Sequence, residues 1–328
     1  MTITRSKRTT SDVVTETKVV ESPVKRKKIS VTTTTKVTTS KTAKAPKIHI
    51  EDALRQRNPD IYTGILPEEF VNSHNAEFIE GCHHVLKQDP TLYAVTVHAP
   101  FPNYKPDEPK ATVNDYWYSL IRSVMGQQVS GAAAKSVAAK FRALFPKVEG
   151  PTPQGTLKFT FDELKASGLS NQKTKYVISI SEAFSDSNHP LSKIEFYQNA
   201  SADELTAELI KLKGIAEWSA KMFEAFTLRR LRVFAYEDLG VARGMARYLE
   251  KRPEILNEVK QIVHEDEEKR ARLKKKSKFT NGSNSKRDWV PLHDEYVCEV
   301  ARKFAPYETV FMMILWRLSS TNVDVLLY

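Results

Sequence analysis

Three groups of residues in this 328-residue chain have types and spacings that could do chemistry. The first is Leu212-Lys213-Gly214-Ile215-Ala216-Glu217-Trp218-Ser219-Ala220, a short turn between two stretches of helical periodicity. Gly214 admits a backbone conformation that a side chain would hinder. Ile215 can tuck between the two helices, so that the second helix points its free N–H groups out of the turn, where they attract phosphate. Such a turn is equally common for structural reasons alone. The second group is Val233-Phe234-Ala235-Tyr236-Glu237-Asp238-Leu239-Gly240, an apolar run ending in two acids where a helix begins. Asp238 suits a helix N-cap, accepting a backbone N–H bond. That role explains any single Asp before a helix, but not why this one stands about twenty residues past such a turn. The third group is Gln127-Gln128, just before Ser130, a good N-cap for a helix opening Gly131-Ala132-Ala133. Two glutamines at a helix–helix junction either face solvent or project toward a bound surface.

The elements that must position these groups read as helices. Apolar residues recur at spacings of three and four through Glu68–Leu86, along Trp117, Leu120, Ile121 and Val124, and again from Ala134 to Phe145. The same period covers 161–166, 172–184, 203–212, 217–229, 239–250, 253–264, 293–303 and 307–320. Strand-like alternation is confined to Tyr93-Ala94-Val95-Thr96-Val97-His98. The expected fold is all-α, with at most a short strand at 93–98.

Residues 1–47 hold twelve Lys and Arg against three Asp and Glu, so nine of the ten net positive charges sit there and the body is nearly neutral. This Thr-, Ser- and Lys-rich stretch lacks aromatics and is expected to be a disordered basic tail. Its Pro23-Val24-Lys25-Arg26-Lys27-Lys28 has the composition of a nuclear-import signal, which implies an import receptor as partner and the nucleus as location. A mitochondrial presequence competes, and its lysines and missing apolar face count against that. Residues 48–328 are expected to form one domain, within which 265–287 turns from acidic to basic and ends in Asn281-Gly282-Ser283-Asn284-Ser285. That composition suggests a flexible charged insertion, a solvated loop rather than a phosphate-contacting arm. No apolar run approaches the roughly 20 residues of a membrane span. Two distant cysteines, Cys82 and Cys298, are expected to be reduced, and they exclude a four-cysteine cluster supplied by this chain alone.

The turn, the helix after it, the short apolar segment and the Asp together resemble the helix-hairpin-helix/Gly-Pro-Asp base-excision glycosylases, in their yeast-type 3-methyladenine branch. Three further blocks agree: Ser119-Leu120-Ile121-Arg122-Ser123-Val124-Met125-Gly126-Gln127-Gln128-Val129-Ser130, Gly168-Leu169-Ser170-Asn171-Gln172-Lys173, and Phe304-Ala305-Pro306-Tyr307 with Phe311–Ser320. The resemblance covers roughly 65–328 and implies two helical lobes. Two positions depart from the family pattern: Ala216 replaces a second hairpin glycine, and Tyr236 a proline.

The resemblance implies that alkylated purines are cut from duplex DNA by a monomeric enzyme. A base such as N3-methyladenine is already cationic, so it leaves without a general acid, and the positive charge that develops is on the sugar. One carboxylate, Asp238, would stabilise that charge or orient water against it, with Glu237 merely flanking. The base must be flipped out of the duplex; Trp218, Trp316 and Met222 match the family's base pocket, Gln128 its wedge, with Gln127 beside it. Lys213, Gly214, Ile215, Ala216 and Ser219 match the backbone-gripping hairpin. Bifunctional relatives carry a Schiff-base lysine where Trp218 stands, so base release without strand cleavage is expected. No metal or organic cofactor is expected; a monovalent cation on the hairpin carbonyls around Lys213 and Ile215 is implied by resemblance only. The alternatives are a catalytically silent DNA-binding protein, or a glycosylase for oxidised or mismatched bases.

Overall fold

The computed structural model describes residues 49–106, 111–280 and 287–320. The basic tail 1–47 and its 23–28 cluster lie outside the described residues. The helices are α1 (Ile50–Arg57), α2 (Glu68–Asn72), α3 (Ala76–Gln88), α4 (Tyr93–Val97), α5 (Val113–Gly126) and α6 (Gly131–Arg142). Then follow α7 (Pro153–Thr156), α8 (Phe161–Ala166), α9 (Asn171–Ser185), α10 (Ile194–Asn199), α11 (Ala202–Leu209) and α12 (Glu217–Phe226). The series closes with α13 (Leu239–Glu250), α14 (Pro253–Glu265), α15 (Glu267–Arg272), α16 (Asp294–Arg302) and α17 (Glu308–Ser319). No strand occurs among the described residues, and no described helix is long and apolar enough to cross a membrane.

Most helix starts are capped by the residue types that favour that position. Asn75 caps α3, Ser130 caps α6, Ser170 caps α9, and Thr112, Thr160 and Ser201 form reciprocal capping boxes with Asp115, Glu163 and Glu204. The chain then folds into two lobes around two apolar clusters. One joins α1–α4 to α13, α14, α16 and α17; the other is built from α5, α6 and α8–α12. Helix α12 serves both, giving Ala220 and Phe223 to the second cluster and Ala225 to the first. The hairpin's second helix is therefore the splint between the lobes.

The expected strand at 93–98 is helix α4. Ala94, Val95 and Thr96 are all buried in succession, where a strand would bury alternate residues. The buried guanidinium of Arg317 donates to the carbonyls of Val95 and Thr96 at 2.9 and 2.6 Å and lies over the Phe101 ring. A cation at the carbonyl end of a helix satisfies groups that otherwise lack partners. Tertiary packing from a residue over 200 positions away thus overrides the β-branched composition.

Candidate active site

The loop carrying Asp238 is fixed from three sides. Backbone groups of Leu231 and Val233 bond to Thr309 at the start of α17, at 2.9 and 2.8 Å. Lys221 on α12 pairs with Glu237 at 3.1 Å and with Glu217 at 3.0 Å, and its ammonium lies 4.6 Å from the centre of the Tyr236 ring. Lys278 donates to the Glu237 carbonyl at 2.9 Å. Tyr236, where the family pattern has proline, supplies a cation–π contact instead.

Asp238 is the N-cap of α13, its Oδ1 accepting from Val241 N at 3.0 Å. Two indoles bind the same carboxylate. Trp316 Nε1 donates to Oδ1 at 2.7 Å, and Trp218 Nε1 donates to Oδ2 at 3.2 Å. The capping role and the chemical role therefore coexist: three N–H donors fix the orientation of a carboxylate that has room for about four. Trp316 stacks on Phe226 with rings 5.4 Å apart and 13° from parallel. Replacing Trp316 by Phe keeps that stack and removes the 2.7 Å bond. A charge-assisted hydrogen bond contributes about 1.5–3 kcal/mol, so the rate of the step Asp238 serves should fall roughly ten- to hundredfold in single-turnover kinetics. An unchanged rate would mean that this N–H does not orient the acid.

Asp238, Trp218, Met222, Phe226 and Trp316 line one wall of a cleft of about 1120 Å³ between the lobes. Ser119, Arg122 and Ser123 of α5 and Lys135 and Arg142 of α6 line the other side. Lys135, Arg142 and Phe226 carry no pattern in the sequence, and Arg122 stands there only inside a block of resemblance; the packing of α5 and α6 against α12 brings them to the cleft.

The hairpin joins α11 to α12 and is braced inside by Thr206, which donates to the buried Glu224 at 2.8 Å. Gly214 has φ +89°, and a β-carbon there would lie 2.3 Å from the Tyr176 ring. Ile215 and Ser219 are buried, while Lys213 and Ala216 are exposed. Ala216 has φ −107° and ψ 172°, ordinary extended backbone, so the turn requires no second glycine. The carbonyl of Gly214 accepts from Gln127 Nε2 at 2.8 Å and that of Leu212 from Ile215 N at 3.1 Å. Among the described residues no hydrogen bond reaches the Lys213 and Ile215 carbonyls.

The two glutamines part company. Gln127 is half-buried and ties the end of α5 to the hairpin, while Lys173 caps the same helix end through the carbonyls of Met125 and Gln127 at 2.9 and 2.6 Å. Gln128 is exposed, with φ +57°, a left-handed conformation uncommon for a residue with a β-carbon.

Comparison with known proteins gives a consistent result. Residues 121–279 match the family model described as HhH-GPD superfamily base excision DNA repair protein. The chain is similar to the DNA-3-methyladenine glycosylase of Saccharomyces cerevisiae, 34% identical over 273 residues, covering 80% of this chain and 86% of that one. It is similar to DNA-3-methyladenine glycosylase 1 of Schizosaccharomyces pombe, 30% identical over 164 residues, covering 50% and 70% of the two chains. A solved structure of a DNA-3-methyladenine glycosidase from Bacillus halodurans shares the fold, with TM-score 0.50 and 22% identity over 75% of this chain and 94% of that one.

Proposed function

The chain belongs to the HhH-GPD superfamily of base excision DNA repair proteins, in its DNA-3-methyladenine glycosylase family, and from that premise we propose how its own residues hydrolyse the N-glycosidic bond of alkylated purines. Duplex DNA lies across the cleft, its backbone on the exposed N-terminus of α12 and on the cations Arg122, Lys135 and Arg142. If a monovalent cation binds the hairpin, the Lys213 and Ile215 carbonyls hold it, and its charge adds to the attraction of phosphate. Gln128, exposed in a strained conformation beside the hairpin, enters the gap left by the flipped nucleotide, while Gln127 stays behind as a tie.

The damaged base arrives already positively charged. Electron-rich ring faces favour such a base; both indoles engage Asp238 through in-plane N–H groups, so the faces of Trp218 and the face of Trp316 turned away from Phe226 serve it. Met222 completes that wall. As the bond to the sugar lengthens, positive charge develops on the sugar ring. Asp238 stabilises that charge and orients the water that replaces the base. The single observation that carries this reading is the convergence of two cleft-lining indoles on one carboxylate.

The reaction ends at base release. Trp218 occupies the position where a strand-cleaving relative has its lysine, and an indole forms no imine. Lys221 is no substitute. Burial draws its ammonium toward the neutral form, but the Glu237 and Glu217 carboxylates outweigh burial and hold its pKa above the usual value, so it stays protonated. Incubation with duplex DNA containing N3-methyladenine should free 3-methyladenine and leave strands that break only on alkali treatment. Nicks before alkali, or no freed base, would refute the assignment.

A further inference from the structure

The lysine run Lys274-Lys275-Lys276 is held at the edge of the catalytic loop. Ser277 is 1% exposed and donates to Asp294 at 2.7 Å. Lys278 donates to the carbonyl of Glu237, next to Asp238. Phe279 is buried against Trp289 and against Ala242 and Ala246 of α13. Within the run, the Lys275 carbonyl bonds to the ring of His293 at 3.0 Å, and just before it Arg272 pairs with Glu295 at 2.8 Å. A run fixed at both ends in this way has lost the conformational freedom of a solvated loop, and so has already met much of the ordering cost of binding.

The cations of this segment divide into two kinds. Lys269 pairs with Glu299 at 3.0 Å and Arg272 with Glu295 at 2.8 Å, so both serve to hold α15 on α16. Lys274, Lys275 and Lys276 are exposed, and none is in an ion pair with a described residue. They stand two to four residues before Lys278, which limits their backbone to about 14 Å from that anchor. Against a body that is nearly neutral, three adjacent exposed cations, tethered through Lys278 to the loop that carries Asp238, form a local phosphate-attracting edge.

We propose that Lys274, Lys275 and Lys276 form a second DNA-backbone contact, made by phosphates next to the flipped nucleotide and separate from the hairpin. The proposal rests on the DNA-acting reading above and adds a surface to it. It makes these lysines part of the binding machinery, held in register with Asp238 through Lys278.

The test is the salt dependence of binding to a duplex containing a tetrahydrofuran abasic analogue, measured by fluorescence anisotropy with the full chain. Each phosphate contact contributes about 0.9 to the slope of log K against log salt concentration. The triple variant Lys274→Ala, Lys275→Ala, Lys276→Ala should lose between about 2 and 3 from that slope. The corresponding triple change to Arg should keep it. An unchanged slope in the folded Ala variant overturns the proposal, as does an equal loss in the Arg variant. Base release by the wild type is read separately: a protein that binds with this slope yet frees no base removes the reaction and leaves the lysine contact standing.

Discussion

Asp238→Asn should retain the fold and the affinity for DNA and lose nearly all base release. Asn is as good an N-cap as Asp, so the bond from Val241 N at 3.0 Å survives and stability should change by less than about 1 kcal/mol. What disappears is a negative charge, together with the acceptor for the exposed Trp218 N–H, since the Asn Nδ2 is itself a donor. A carboxylate about 4 Å from a cationic sugar, at the effective dielectric of a protein surface, is worth about 4 kcal/mol, a factor of roughly a thousand in rate. Single-turnover release of 3-methyladenine, run beside urea denaturation, reads the two quantities independently. Asp238→Ala makes the contrast. It removes charge and cap together, and should add about 1 kcal/mol of destabilisation to the same loss of rate. If the Asn variant released base as fast as wild type, the capping role alone would remain for this residue.

The helices were legible because most pair a periodic apolar face with a capping residue at the start. Ser130 and Asp238 mark helix starts that the structure reproduces. The hairpin and its carboxylate were legible for the same reason: both are written in residues close in sequence. The clamp on Asp238 was not. Trp218 was readable only as a base-pocket aromatic by resemblance, and Trp316, in a very apolar helix, also as core. That both indoles donate to one carboxylate depends on α12, α13 and α17 meeting, a fact spread over about a hundred residues of sequence. The described part of the 265–287 insertion, up to residue 280, is a related case. Its composition reads as a solvated loop, yet the carboxylates that hold α15, Glu295 and Glu299, come from α16, beyond the segment itself.

The same dependence on distant contacts makes the site sensitive to a residue that touches nothing in the cleft. Gly244, on α13, lies where α13 and α17 cross. A β-carbon placed on it would stand 1.9 Å from the carbonyl oxygen of Leu315 and 2.6 Å from its carbonyl carbon. Both are backbone atoms, so no side-chain rotation relieves the clash. To bring that oxygen beyond 3.0 Å, α17 must withdraw by at least about 1 Å at the residue preceding Trp316. Gly240, one turn earlier, is held to the Trp316 ring in the same manner, its β-carbon position 2.5 Å from Cδ1.

Gly244→Ala should therefore act on stability and on rate together. Overpacking of this kind costs about 1–3 kcal/mol in unfolding free energy. A shift of about 1 Å at Trp316 stretches its bond to Asp238 and turns the carboxylate, and displacements of that size lower catalytic rates by about a hundredfold. Gly126→Ala provides the reference, because its β-carbon position has no atom within 4 Å, and it should leave both quantities nearly unchanged. If the rate loss runs through the indole bond, Gly244→Ala made in the Trp316→Phe background should cost much less rate than in the wild type, because the bond is already gone, while the loss of stability should persist. Equal rate losses in both backgrounds would show that the helix crossing sets stability alone and that Asp238 keeps its orientation through Val241 and Trp218.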